Sequence, residues 1–184
     1  VVQRMVDART AGVLFTADPV TGRRTRTVID AAPGLGEAVV SGAVDPDHVV
    51  VEGDGTVGEH RVGAKTVAVR GRPGGGVEQV APDDPGLPCL TGTEIAALVS
   101  LGRRVEGRFG VPQDIEWAID GDGALWLTQS RPVTTLYPRP PGPGRRVWFC
   151  VSLAQGLTGP ITPMGMAVFR VVGATASAVA FGHP

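Results

Sequence analysis

The sequence predicts an α+β domain in which a mostly antiparallel sheet packs against one long helix. Short runs rich in β-branched residues, separated by Gly, Pro and Asp, indicate the strands. A single longer segment, Gly92 to Phe109, repeats its apolar residues at helical spacing and indicates the helix. With 27 Gly and 16 Pro the chain is rich in turns, while a hydrophobic content of 42% is too high for a disordered segment.

The N-terminal part of the chain is predicted to form strands joined by short turns. Val1 to Val6, Ala11 to Thr16 and Thr25 to Ala32 make an opening β-meander. Pro33 to Glu37 is a glycine-rich turn, after which a short helix or strand could begin. Two further strands are then expected, at His48 to Glu52 and at Glu59 to Val69. A loop is expected from Arg70 to Leu87.

The predicted helix has a start signal, a buried stripe and a stop signal. Thr91 and Glu94 have the spacing of a capping box, in which each side chain satisfies a backbone amide of the other residue. Gly110 and Pro112 end the helix. The stripe comprises Ile95, Leu98, Val99, Val105 and Phe109.

A β-hairpin follows the helix, and a linker follows the hairpin. Its strands, Asp114 to Ile119 and Leu125 to Ser130, are joined by an Asp-Gly-Asp-Gly turn. Pro138 to Gly144 is a stiff Pro/Gly segment that marks a domain boundary. We therefore predict a first domain over residues 1–136, a linker over 137–146 and the start of a second domain over 147–184. In that second domain we expect a strand at 147–153 and a helix at 164–181.

Strand geometry places polar side chains on one face of the hairpin. With a two-residue turn at Asp122 and Gly123, Glu116 lies opposite Gln129, and Asp114 lies opposite Arg131. Side chains alternate along a strand, so these four share a face. The same spacing predicts that the other, core-facing side receives Ile115, Trp117, Ile119 and Trp126.

These residue types suit polyphosphate chemistry. A carboxylate beside an amide oxygen supplies hard ligands for Mg²⁺, and the guanidinium fork of arginine matches phosphate oxygens. The alternative from spacing alone is an ordinary surface ion pair between Glu116 and Arg131, worth about 0 to 1 kcal/mol. Asp120 and Asp122 lack the remaining spacing of a calcium loop and are expected to be turn residues.

Composition excludes several classes of protein. Seventeen basic and eighteen acidic residues leave a net charge of -1, so no general attraction to nucleic acid or an anionic membrane is expected. No apolar run approaches the roughly 18 residues that cross a bilayer. Cys89 and Cys150 lack zinc-site spacing and are expected to be small buried hydrophobes. We expect a cytoplasmic protein and, because it begins within an apolar segment without Met, a fragment of a longer one.

Five segments in a fixed order resemble the ATP-binding domain shared by phosphoenolpyruvate synthase, pyruvate phosphate dikinase and rifampin phosphotransferase. The resemblance covers residues 1–136, and five ordered motifs are far more specific than any single one. The segments are VVQRMV from Val1, AGVLFTADPVTG from Ala11, AAPGLGEAVVSGAVDPD from Ala31, PQDIEWA from Pro112 and LTQSRPVTT from Leu127.

The resemblance implies the C-terminal lobe of an ATP-grasp fold that binds ATP and Mg²⁺. Gln3, Met5 and Val6 would contact the adenine, although an exposed strand residue is the alternative for Gln3. Glu116 and Gln129 resemble the Mg²⁺ and phosphate ligands, and Arg131 the catalytic cation that neutralises charge on the transferring phosphoryl group.

Two further residues are possible members of the site. Glu37 could order the site or bind a phosphate on the substrate side, and capping the segment that follows it is an equal alternative. Lys65 could reach a phosphate, but a solvated strand lysine is the preferred reading.

The resemblance also implies partners outside these 184 residues. They are the N-terminal ATP-grasp lobe, a phosphohistidine domain of the same polypeptide, and a small-molecule acceptor such as pyruvate or a rifamycin. Residues Val147 to Met166 resemble the entry into the middle domain of rifampin phosphotransferases, which favours that arrangement. By itself the chain is expected to be inactive. The alternatives are a non-catalytic nucleotide-binding or regulatory remnant and a purely structural β-rich domain.

Overall fold

The computed structural model describes residues 2–136, together with helical positions 164, 167–168, 170–172 and 175. The chain divides into two compact units, Val1–Arg139 and Pro140–Pro184, and the architecture below is that of the first. Its strands and helices, in chain order, are β1 (Ala8–Phe15), β2 (Thr27–Pro33), α1 (Glu37–Val40), β3 (Asp47–Val51), β4 (Val57–Arg61), β5 (Ala68–Gly71), β6 (Val77–Val80), α2 (Gly92–Phe109), β7 (Gln113–Asp120) and β8 (Leu125–Pro132).

The main sheet has six antiparallel strands in the order β4-β3-β2-β1-β7-β8, and β5 and β6 form a separate two-stranded sheet. Strands β1 to β4 are each hydrogen-bonded to the next, which confirms the mostly antiparallel sheet with one long helix. Of the predicted opening meander, the second and third strands form and pair as β1 and β2. Strand β1 lies between β2 and β7, so it connects the meander to the C-terminal hairpin.

The main core lies between one face of the sheet and α2. Leu14, Ile29 and Ile115 from the sheet are fully buried, as is Leu98 of the helix. Gly102 lets the helix approach closely, because a Cβ at that position would lie 2.8 Å from a methyl of Leu14. The rest of the buried core comprises Ala31, Val49, Val51, Leu90, Ile95, Val99, Trp117 and Ile119.

Helix α2 forms over the predicted residues with the predicted cap. The Glu94 carboxylate accepts from the Thr91 backbone N–H at 2.8 Å, and the Thr91 hydroxyl accepts from the Glu94 N–H at 3.3 Å. Gly110 ends the helix in the left-handed conformation, with φ 73°. Only the end of the predicted stripe is wrong, since the Phe109 side chain is exposed.

A smaller apolar cluster lies beside α1. Ala32, Ala38, Val44 and Val69 are buried together, with Leu35 and Val39 partly buried against them. The short helix follows the predicted glycine-rich turn, in which Gly34 has φ 80° and a Cβ would lie 2.2 Å from the Val69 carbonyl oxygen. Only glycine fits that close approach of two backbones.

Two predicted strands are wrong. Residues 2–7 form no strand, and β1 begins only at Ala8. Glu59 to Val69 is not continuous either, because β4 ends at Arg61 and β5 begins at Ala68 in the other sheet. The chain turns between them because the carboxylates of Asp45 and Asp47 accept hydrogen bonds from the backbone of Ala64 and Gly63.

The remaining predictions have mixed outcomes. The predicted loop after Arg70 contains a second hairpin, β5–β6, whose turn uses positive φ at Gly74, Gly75 and Gly76. Cys89 is half-buried against the main core, and burial with the nearby Asp47 carboxylate raises the pKa of its thiol to about 12. The linker, the strand at 147–153 and Cys150 lie outside the described residues. Within the predicted C-terminal helix, the positions that the structure describes are helical.

Candidate functional site

The β7–β8 hairpin has the predicted strand pairing but a different turn and a bulge that was not predicted. Its turn has three residues rather than two, since the Asp120 N–H donates to the Ala124 carbonyl and the Gly123 N–H to the Asp120 carbonyl. Such a turn alone would place Thr128 opposite Glu116. A bulge at Thr128, which the pairing skips between Leu127 and Gln129, shifts the register back by one residue.

The predicted polar pairs are therefore confirmed, and one face assignment is wrong. Glu116 lies directly opposite Gln129, and Asp114 opposite Arg131. Trp126, predicted to face the core, instead pairs with Ala118 on the same face as Glu116. The sequence-based prediction assumed a turn one residue too short and a strand without a bulge. The two errors cancel in the pairing of Gln129 and Arg131, which lie beyond the bulge, but not in that of Trp126, which lies before it.

A cleft of about 140 Å³ opens on this polar face of the sheet. It brings together three segments that lie far apart in the sequence, which contribute Gln3, Met5 and Val6, then Glu37, and then Glu116. Gln129 and Arg131 do not line the cleft itself; they lie beside it, on the edge strand β8. Its remaining walls are Arg4, Ala8, Ala11, Gly12, Leu35, Gly36, Val40, Trp117, Ala118 and Thr128.

Arg131 is held by its strand partner. Its Nε donates to the Asp114 carboxylate at 2.8 Å, and this hydrogen bond raises the pKa of the guanidinium above its usual value. The guanidinium stays largely exposed, whereas Asp114 is mostly buried. Nε carries the bond to Asp114, and a guanidinium has two further nitrogens that can donate to a ligand.

Segment 2–7 lies against the hairpin without joining the sheet. The Gln3 amide lies 3.5 Å from the carbonyl oxygen of the bulge residue Thr128, and the Arg4 guanidinium lies 5.6 Å from the ring centre of Trp126. Met5 is exposed beside them. The predicted adenine contacts are therefore in the cleft, but on an irregular segment rather than on a strand.

The two possible site residues behave differently. Glu37 is the first residue of α1 and lines the cleft, while the N-cap Gly36 makes no side-chain cap. Lys65 is not the expected solvated strand lysine. It is fully buried, lies outside any strand with φ 43°, and pairs with the buried carboxylate of Asp47 on the α2 side of the sheet.

The oxygen donors at the cleft suit a single Mg²⁺ that also binds phosphate. Among the described residues no group of three or more His, Cys, Asp or Glu could hold a metal ion. Mg²⁺ needs no such group, because it commonly takes one or two protein oxygens and fills its octahedron with phosphate and water. Glu116 and Gln129, directly opposed, supply two such oxygens.

Sequence reasoning missed Arg4 and Trp126. The indole Nε1–H of Trp126 donates to the Asp120 carboxylate at 2.8 Å while Arg4 lies over its ring. This hydrogen bond and those from the turn backbone lower the pKa of Asp120. The spacing of Trp126 from Gln129, an odd number of residues, would assign them to opposite faces, so only the bulge reveals the arrangement.

Residues 1–141 match the family described as pyruvate phosphate dikinase, AMP/ATP-binding domain. The chain belongs to this family. Membership extends over the whole six-stranded sheet, α2 and the cleft.

Similar proteins include rifampicin phosphotransferases and phosphoenolpyruvate synthases. A rifampicin phosphotransferase of Streptomyces sp is 45% identical over 93% of the chain, and that of Bacillus subtilis is 43% identical over 92%. The phosphoenolpyruvate synthase of Pyrococcus furiosus is 44% identical over 74% of the chain. The chain spans only 18 to 20% of the length of these relatives.

In the part of the chain that the structure describes, no helix is both long and apolar enough to cross a membrane.

Proposed function

We propose that residues 1–136 are the C-terminal lobe of an ATP-grasp domain, in which they bind Mg·ATP for a cytoplasmic phosphotransferase. That enzyme passes phosphate from ATP through a phosphohistidine domain of the same polypeptide to a small-molecule acceptor. The direct cross-strand pairing of Glu116 with Gln129, beside a cleft lined by Gln3 and Met5, is the observation that carries the proposal.

Each end of the cleft has a role in this proposal. Gln3, Met5 and Val6 contact the adenine, where exposed apolar surface and an amide suit a purine ring. Glu116 and Gln129 hold Mg²⁺ and the phosphates. Bound Mg²⁺ supplies positive charge that draws electron density from the phosphate oxygens.

Arg131 is proposed as the catalytic cation, and Asp114 fixes its orientation. A guanidinium held by a neighbouring carboxylate needs no reorganisation when negative charge develops on the transferring phosphoryl group. Glu37, in the first turn of α1, remains a possible contributor that orders the cleft. Lys65 has no part in this proposal, because its ammonium is buried against Asp47.

The coverage of the relatives favours a rifampicin-type enzyme. A match over 92 to 93% of the chain must extend into residues 147–184, whereas a match over 74% need not. The match to the rifampicin phosphotransferases is thus the longer one, and it includes part of residues 147–184. A rifamycin-like acceptor is preferred to pyruvate for this reason.

The second candidate is a nucleotide-binding or regulatory remnant without catalysis. The joint presence of Glu116, Gln129 and Arg131 in one paired arrangement speaks against degeneration. Turnover of ATP by the full-length protein separates the two, since a remnant binds Mg·ATP without consuming it.

Calorimetric titration of Mg·ATP tests the site. The protein is extended at its N-terminus by the proposed preceding lobe, and Glu116→Ala and Arg131→Ala are compared with the matched variants Glu59→Ala, on exposed β4, and Arg108→Ala, in the last turn of α2. We expect the site variants to lose about 1 to 3 kcal/mol of binding free energy and the controls to lose none. Equal binding by all five proteins would show that the polar pairs are structural.

A further inference from the structure

A cluster of three side chains ties segment 2–7 to the hairpin. The Arg4 guanidinium lies over the Trp126 ring at 5.6 Å, within the range of a cation–π interaction. The orientation of the indole is fixed at its edge, because its Nε1–H donates to Asp120 at 2.8 Å. Asp120 is itself locked in the turn, where its carboxylate accepts from the backbone of Ala124 at 2.8 Å and of Asp122 at 3.1 Å.

The three-residue turn places this cluster on the polar face, and the bulge at Thr128 brings Gln129 to the same face. Trp126 and Gln129 lie an odd number of residues apart, so a regular strand would direct them to opposite faces. Trp126 already lies on the face of Glu116 through its pairing with Ala118, and the skipped residue Thr128 brings Gln129 to that face. Trp126 then lies two residue steps along the hairpin from the Glu116–Gln129 pair, roughly 7 Å at the usual strand rise.

Segment 2–7 has few other attachments. It belongs to no strand, and most of its residues are exposed. Its other described side-chain contact with the hairpin, from Gln3 to the Thr128 carbonyl, is long at 3.5 Å and therefore weak. Of these two described side-chain contacts between the segment and the hairpin, the one from Arg4 to Trp126 has the better geometry.

We propose that Arg4, Trp126 and Asp120 are positioning residues that hold segment 2–7 where it forms the base-binding wall of the cleft. This inference rests on the proposed function and assigns different residues to different parts of the bound ATP. The cluster acts on the base of ATP, while Glu116, Gln129 and Arg131 act on its phosphates. Binding of a ligand that has phosphates but no base should not depend on the cluster.

The test compares two ligands on the full-length protein. Affinities for Mg·ATP and for magnesium tripolyphosphate are measured by calorimetry with Arg4→Gln, Arg4→Lys and Trp126→Leu. Arg108→Gln, on the exposed end of α2, is the matched loss of a positive charge. Because Arg4 is exposed, its substitution leaves the core intact, and thermal unfolding of each variant verifies this.

Arg4→Gln and Trp126→Leu are expected to weaken Mg·ATP about two- to fivefold, the scale of an exposed cation–π contact, without changing tripolyphosphate affinity. Arg4→Lys should retain most of the affinity, since it keeps the cation. Combining Arg4→Gln with Trp126→Leu should add nothing further, because both remove the same contact.

Three results would overturn the inference alone: unchanged Mg·ATP affinity in Arg4→Gln, equal losses for the two ligands, or additive losses in the double variant. A wild-type protein that binds neither ligand would overturn the proposed function and this inference with it. Loss of tripolyphosphate binding in Glu116→Ala supports the phosphate assignment whatever the outcome at Arg4.

Discussion

Asp47 is the buried carboxylate that ties three separate segments of the chain together. It binds the Lys65 ammonium and accepts from the backbone N–H of Gly63 at 2.9 Å and of Cys89 at 2.6 Å. The Asp47 and Lys65 side chains are 1% and 0% exposed, so neither can turn to water if its partner is removed. The pair fixes the chain between β4 and β5 against the segment that leads into α2.

Replacing Lys65 with Met should destabilise the domain severely. Removing one partner of a buried ion pair leaves an uncompensated charge and typically costs about 3 to 5 kcal/mol. Arg61→Met is the matched control, because its pair with Asp45 is half-exposed and worth at most about 1 kcal/mol. Chemical denaturation gives both free energies of unfolding, and similar small losses in the two variants would contradict a structural role for Lys65.

The Asp47 carboxylate should make the free energy of unfolding depend on pH in the acid range. Burial acts to raise the pKa of Asp47, but the hydrogen bonds from Lys65, Cys89 and Gly63 outweigh it and hold that pKa below its usual value of 3.8. A lowered folded-state pKa stabilises the domain at pH values above the usual pKa, and the contribution is lost as the pH falls through the folded value.

The free energy of unfolding is therefore expected to stay level as the pH falls towards 4 and to decrease below about 3.8, where the unfolded state takes up the proton first. Asp47→Asn should be less stable near neutral pH and show a shallower decrease in acid. Denaturation midpoints measured from pH 7 to pH 2 test this, and an unchanged acid slope in the variant would assign the effect to other carboxylates.

At the scale of elements, the central strand β1 depends on one glycine. A Cβ at Gly12 would lie 1.9 Å from the Asp30 carbonyl oxygen of β2 and 3.0 Å from the Trp117 ring. The first obstacle is backbone in the middle of the sheet, which cannot move aside without breaking the β1–β2 ladder.

Gly12→Ala should accordingly cost about 3 kcal/mol or more, at the upper end of overpacking effects. Gly58→Ala, in edge strand β4, is the control, since its Cβ would lie 3.4 Å from the flexible Glu52 carboxylate. Thermal unfolding of the two variants distinguishes them. A Gly12→Ala protein as stable as Gly58→Ala would mean that β1 and β2 are not packed as described.

At the scale of the whole molecule, the two faces of the sheet have different tasks. One face is closed by α2 over a continuous core, and the other bears the cleft and the polar pairs of the hairpin. A cleft of about 140 Å³ is smaller than the roughly 300 to 1,000 Å³ of most ligand pockets. We therefore expect the proposed nucleotide to contact further walls, which the proposed N-terminal lobe would supply.

The 184-residue chain by itself is expected to bind Mg·ATP weakly and to consume none. We expect phosphate to leave ATP only when the proposed opposite lobe and the proposed phosphohistidine domain are both present. Release of ADP and AMP from ATP is measured with the purified chain, beside the full-length protein as positive control. Turnover by the chain alone would refute this expectation.

Local signals in the sequence determined much of this fold and part of the site. Helix α2 was predictable because its cap, its stripe and its terminal glycine all lie within one segment. The β1–β3 meander and the hairpin were predictable from β-branched runs between turns. The pairing of Glu116 with Gln129 was predicted correctly, although through a turn of the wrong length.

Only the tertiary structure decided the rest, because the deciding contacts join residues distant in sequence. Nothing near Val1 to Val6 shows that this apolar segment lacks a neighbouring strand. Nothing near Lys65 reveals that Asp47, on another strand, buries its charge. The three-residue turn directs Trp126 towards Arg4, and the bulge at Thr128 returns Gln129 to the same face. Both depend on how extra residues are accommodated between two paired strands, which propensity does not encode.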